Sequence, residues 1–191
     1  EVQAGAALEL SGVTTAENFA IREGGVGFGN GTDISSAGAL RGVGGTTSTV
    51  AGNVELIAGN NLIGAATGST LNLAGQIMAP LSGGNRRLIK VGPGTVEFSG
   101  ALPNIYTGDT VVLQGRLDLN KTGAGADKAV PSSLVIGDNI GGDNAAEVRL
   151  LGSNQIAQLN LFDVVINTIT LNSSGVLNFN GNSDVIGNLV L

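Results

Sequence analysis

Histidine, cysteine and tryptophan are all missing from this 191-residue chain, and each absence removes a class of chemistry. Without histidine there is no Ser-His-Asp or Cys-His relay and no imidazole to hold a metal. Without cysteine there are no disulfides and no thiolate metal sites. Basic residues are scarce: 9 Lys and Arg stand against 15 Asp and Glu, for a net charge of −6. So few cations cannot displace the counterions of a nucleic acid, and no nucleic-acid partner is expected. The one adjacent basic pair, Arg86-Arg87, reads as a solvated turn. There is no Gly-Lys-Ser/Thr phosphate loop, no Gly-x-Ser-x-Gly elbow and no dinucleotide fingerprint, so no cofactor is expected. Leu56 to Asn85 carries no charge, but Asn60, Asn61, Asn72, Gln76 and Pro80 interrupt it. A membrane helix needs about 20 mostly apolar residues, and this segment is not one.

Glycine and aliphatic residues are what the chain has in quantity. Of its 191 residues 32 are glycine, and 42% are hydrophobic while only 3% are aromatic. Three-residue cores of the form apolar–polar–apolar recur from end to end. They are Leu8-Glu9-Leu10, Val54-Glu55-Leu56, Leu71-Asn72-Leu73, Val96-Glu97-Phe98, Leu117-Asp118-Leu119, Val148-Arg149-Leu150, Ile169-Thr170-Leu171 and Leu177-Asn178-Phe179, followed by the wholly apolar Leu189-Val190-Leu191. A period of two is that of a strand, and it places Val96, Phe98, Leu117 and Leu119 on one face with the charges on the other. Turn signals separate the cores, among them Ser99-Gly100, Gly123-Ala124-Gly125, Asn139 to Gly142 and Ser174-Gly175.

Many short strands with glycine turns suit either an antiparallel sandwich or a solenoid. Asn30-Gly31 and Asn180-Gly181 are hairpin candidates, but the strands flanking them are not matched in length. Repetition of one pattern over the whole chain favours the solenoid. The expected fold is therefore all-β: a right-handed parallel β-helix over residues 1–191, a single continuous segment. With roughly 20 residues per coil and about 4.8 Å per stacked strand, it would make about nine coils over some 40–45 Å.

The densest stretch, Leu88 to Lys121, resembles the autotransporter-associated β-strand repeat, also called the passenger-associated transport repeat. Leu88, Lys90, Gly92, Gly94, Thr95, Ser99 and Gly100 stand at the positions of its first part, with Val96 and Phe98 in the apolar places. Asn104, Tyr106, Thr107, Gly108, Thr110 and Val112 match the second part, and Gly115, Leu117 and Leu119 the third. Pro103 and the extra Ile105 depart from the pattern before Tyr106. The resemblance implies a large exported β-solenoid of a Gram-negative-type bacterium, extracellular or at the cell surface. It brings no catalytic residue with it.

Candidate chemistry is thin. Glu55, Glu97 and Asp118 could share one outward column on neighbouring coils, close enough for the paired carboxylates of glycoside hydrolysis. The simpler reading is a solvated face, with Arg116 and Lys121 offsetting repulsion. Asp138, Asn139, Asp143 and Asn144 lie in an oxygen-rich turn of the kind that can hold calcium, though an ordinary Asx turn explains them too. Thr46-Thr47-Ser48-Thr49 belongs to no regular threonine ladder visible in the sequence. Tyr106 reads as a corner cover rather than a sugar platform. No catalytic, cofactor or metal residue is assigned.

The expected function is structural: a stalk or fibre-forming segment of an exported surface protein, with a glycan- or host-binding adhesin as the alternative and a polysaccharide-degrading enzyme third. The chain opens on Glu1 without a methionine or a signal-peptide pattern, which implies a processed or excised piece. Its last residues, Ile186 to Leu191, would flow into Glu1 to Leu8 as one more coil. The expected partner is accordingly the chain itself, end to end, by tandem repetition or by subunit stacking, with a surface glycan as the other candidate.

Overall fold

The computed structural model describes residues 1–23, 37–81, 84–123, 129–157 and 167–191. Among them there is no helix, and the regular structure is entirely short strands in three parallel sheets. The first sheet holds β1 (Leu8–Leu10), β4 (Leu40–Gly42), β7 (Asn60–Ala65), β10 (Arg87–Val91), β12 (Thr110–Val112), β14 (Leu134–Ile136), β16 (Thr168–Leu171) and β18 (Asn188–Val190), in that order across the sheet. The second holds β2 (Thr14–Thr15), β5 (Thr47–Val50), β8 (Thr70–Leu73), β11 (Thr95–Phe98), β13 (Gly115–Leu119), β15 (Ala146–Leu150) and β17 (Gly175–Asn178). The third is β3 (Phe19–Ile21), β6 (Val54–Leu56) and β9 (Ile77–Met78). The chain visits the sheets in turn and returns beside the strand it left, so each strand pairs with its counterpart one circuit later. Asn180-Gly181 therefore joins no hairpin, and Asn30-Gly31 lies outside the described residues.

Register explains the core. In the second sheet Leu71, Val96, Leu117 and Val148 are partners on successive strands, as are Val50, Leu73, Phe98, Leu119 and Leu150. All of these are buried, so the expected inward faces of Val96, Phe98, Leu117 and Leu119 are what the fold uses. Each such side chain removed from water contributes about 1.5–3 kcal/mol. The intervening Thr, Asn, Glu, Asp and Arg positions face out.

The first sheet is apolar on both sides. Leu62, Ile89 and Val111 occupy one column on its other face and, with Val91, form a second buried cluster against Leu113 and Val135. Strands buried on both faces lose the alternation that marks half-buried ones, as in Leu88-Ile89-Lys90-Val91. Circuits are uneven in length: Leu8 pairs with Leu40, Leu134 with Ile169, but Ile169 with Leu189 only 20 residues on. That is why the strand cores are irregularly spaced in the sequence.

Candidate functional site

The outward column of the second sheet runs Thr49, Asn72, Glu97, Asp118, Arg149 and Asn178. It brings Glu97 and Asp118 together as expected, on adjacent strands. Glu55 does not join them. It stands on β6 in the third sheet, between Ala20 and Met78, because each circuit passes through separate sheets. The two carboxylates that do meet are already engaged. Arg149 grips Asp118 with Nε donating to Oδ1 at 3.0 Å and Nη2 to Oδ2 at 2.8 Å, and Arg116 Nε lies 3.1 Å from Oδ1. The hydrogen bonds that Arg149 donates to Asp118 push its guanidinium pKa further up. Glu97 Oε1 accepts from Asn120 Nδ2 at 2.7 Å, one circuit away. Such forked, charge-assisted pairs fix register between turns.

Lysine behaves differently from expectation. Lys121 does not sit among the outward carboxylates: its Nζ turns in and donates to the Gly75 carbonyl at 2.7 Å. Lys90 stands in an inward column, partnered by Ile63 and Val112, where every neighbour along the sheet is aliphatic. Its ammonium ends in a cage of backbone carbonyls at the corner between β10 and β11. It donates to Gly92 at 2.5 Å, Gln114 at 2.7 Å, Gly94 at 2.8 Å and Val91 at 3.2 Å. Burial without a carboxylate, aided by the nearby charge of Arg116, lowers its pKa to about 7. Burial likewise lowers Lys121 to about 8. A Cβ on Gly115 would come within 2.6 Å of the Gly94 carbonyl and 2.7 Å of Lys90 Nζ, and Gly115 has φ +67°, so the cage needs glycine there. The clue in the sequence was phase: Lys90 follows Leu88 by two residues and so shares its face.

Beyond β9 the third side has an isolated parallel bridge between Val130 and Ile156, and polar side chains supplement it. Asn104 Oδ1 accepts from Ile77 N at 2.9 Å while its Nδ2 donates to the Ala129 carbonyl at 2.8 Å. Gln155 brackets Lys121, accepting from its N at 2.8 Å and donating to its O at 3.0 Å. Asp184 Oδ2 in turn accepts from Gln155 N at 2.7 Å. Tyr106 is buried in the core with its hydroxyl 2.5 Å from Thr110 Oγ1. It offers no face to a sugar.

The other candidates resolve simply. Asp138 makes an Asx turn, its Oδ1 accepting from Ile140 N at 2.9 Å. Among the described residues no group of three or more His, Cys, Asp or Glu could hold a metal ion. Arg87 opens β10 and pairs at 3.8 Å with Asp109. Thr47, Thr70 and Thr95 do stack in register on three successive strands, a short column that the sequence hid, and Arg116 ends it. No helix of the described residues is long and apolar enough to cross a membrane. Glu97, Asp118 and Arg149 thus bind neighbouring turns of their own chain. Against family models, curated proteins and solved structures, the chain finds no match.

Proposed function

We propose that this chain is a structural segment of an exported surface protein, an extracellular stalk or fibre element without catalytic activity. The observation that carries this reading is the use of its polar side chains. Asp118 with Arg149, Glu97 with Asn120, Gln155 with Lys121 and the Lys90 cage all tie one turn to the next. A stalk needs strength along its axis and little else. The resemblance of residues 88–121 to the passenger-associated repeat supports the same reading and suggests a right-handed parallel β-helix. With eight strands in its longest sheet, we read about eight turns rather than nine, because several circuits exceed 20 residues. Parallel ladders of this kind can be lengthened by further turns without a change of geometry, so tandem repetition or end-to-end stacking fits them.

Electron microscopy of the parent protein, with surface labelling of intact cells, tests the reading. Rods extended by about 4.8 Å per added turn, labelled before lysis, would support it. Compact particles, or labelling only after lysis, would overturn it. So would cleavage of a polysaccharide by the purified chain.

A further inference from the structure

The corner between the first and second sheets is turned seven times, and one turn stands apart. Six of them take two to four residues, namely 11–13, 43–46, 66–69, 92–94, 113–114 and 172–174. The turn from β14 to β15 takes nine, 137–145. It is a built loop: Ser174 Oγ accepts from Asp138 N and Asn139 N, both at 3.0 Å, and Asn139 Oδ1 accepts from Ser173 N at 3.0 Å. Ile140 at its tip is 56% exposed. Between this loop and the two turns before it lies a cleft of about 340 Å³, lined by Pro93, Leu113, Gln114, Asp138, Ile140 and Asn144 among others.

We propose that this cleft binds a neutral glycan, a function additional to the structural one and independent of it. Charge excludes anionic ligands, because Asp138 is the sole charged residue in the lining. The nearest ammonium, Lys90, is consumed by carbonyls that include Gln114's own. Pro93, Leu113 and Ile140 supply aliphatic surface for the C–H face of a sugar ring. The side-chain amides of Gln114 and Asn144 each offer donors and an acceptor to ring hydroxyls. Asp138 Oδ2 is buried with no hydrogen-bond partner among the described residues, an unmet acceptor at the edge of the cleft. The volume falls at the small end of ligand clefts, about 300–1,000 Å³.

The ligand is a chain rather than a lone sugar. A second cleft of about 390 Å³ shares Pro93 and continues past Gly92, Ala66 and Val43 over earlier turns of the same corner, and its two charged residues, Glu9 and Arg41, are paired with each other. Those turns recur about every 4.8 Å along the axis. A linear pyranoside advances by a similar step per ring, whereas an extended peptide advances about 3.3 Å per residue and falls out of phase.

Titration of the purified chain with cellohexaose, maltohexaose, chitohexaose and mannohexaose tests this, with a galacturonate hexamer and a heparin hexasaccharide as anionic probes. At least one neutral hexamer should bind, and neither anionic probe should. Gln114→Ala should weaken binding about five- to tenfold, the worth of one or two neutral hydrogen bonds. Asn144→Gly, which keeps the left-handed backbone of that position free, should do the same. Asn178→Ala, on the outer face of the second sheet, should leave affinity unchanged. The proposal is overturned if none of the four neutral hexamers binds, if the anionic probes bind as well, or if Gln114→Ala and Asn144→Gly have no effect. Should the loop variant unfold, Gln114→Ala on the facing wall decides alone.

Discussion

Lys90 donates to the backbone carbonyl of Gln114 at 2.7 Å, so a side chain from one turn closes the corner of the next from inside. Lys90→Met keeps the length of the side chain but removes every donor. Two effects then oppose each other. A neutral side chain no longer has to bury a charge, which favours the variant. The carbonyls of Val91, Gly92, Gly94 and Gln114 lose that donor away from water, which disfavours it. Because the lysine already sheds much of its charge near neutrality, the orphaned carbonyls dominate. Urea unfolding at pH 7 should show a loss of about 1–3 kcal/mol.

The same pair of proteins reports the protonation of that amine. The folded chain releases the Lys90 proton near pH 7, whereas the unfolded chain keeps it to the ordinary 10.5. In that window the unfolded state binds more protons, so stability rises with pH. Lys121, lowered to about 8, acts in the same direction but is common to both proteins. The stability of the wild type relative to Lys90→Met should therefore be flat below pH 6 and climb from about pH 7 to pH 10. A difference that stays level to pH 10 would mean that the carbonyl cage holds the charge after all.

Asp118 and Arg149 supply a test of the outer face. The Asp118 side chain is 5% exposed and that of Arg149 28%, so their fork is screened less than an ordinary surface pair. Asp118→Ala also leaves Arg116 without its 3.1 Å partner. A double-mutant cycle with Asp118→Ala and Arg149→Ala should give a coupling of about 1–2 kcal/mol, above the 0.2–1 kcal/mol typical of exposed pairs. It should fall only slightly in 1 M salt. Zero coupling would show that the fork is geometry without energy.

What could be read in the sequence, and what could not, divides along physical lines. Val96, Phe98, Leu117 and Leu119 were legible because a half-buried strand writes its faces as alternation, and all four are buried. Glu55 was misplaced because alternation tells a residue's face but not its sheet, and sheet membership depends on how many strands a circuit contains. Lys90 was assigned to a motif without a role, since the run around it is apolar on both faces and gives no contrast. The turn at residues 137–145 was visible as a run of glycine and asparagine. Its cleft was not, because the opposite wall, Pro93 and Leu113 to Gly115, comes from two earlier circuits.

Val96→Asp tests the stacked core directly. Val96 is fully buried between Leu71 and Leu117 in register, with Phe98 beside it on the same strand. A carboxylate there meets no donor and no cation, so the variant should lose about 3–5 kcal/mol or fail to fold. Val96→Ala, which only leaves a small void, should cost much less and keep the far-ultraviolet spectrum of the wild type. Equal effects of the two would mean that the column is open to water.

Gln155 should matter more than its polarity suggests. It is 1% exposed, and its amide is spent in both directions on the backbone of Lys121, one circuit earlier. On this side the third sheet has ended at β9 and an isolated Val130–Ile156 bridge lies beside Gln155, so those two bonds supply the pairing that the Lys121 backbone lacks from a regular strand. Gln155→Ala leaves the Lys121 N–H without the acceptor it now has, at a cost of about 1–3 kcal/mol. Gln155→Met fills the space but restores neither bond, and should recover only the packing part of that loss. Amide exchange separates the two explanations. If the side chain replaces the ladder, the Lys121 amide should exchange faster in both variants while Val96 and Leu117 in the second sheet stay protected. If both variants leave the Lys121 amide as slow as in the wild type, Gln155 is filler and the turn is held by other bonds.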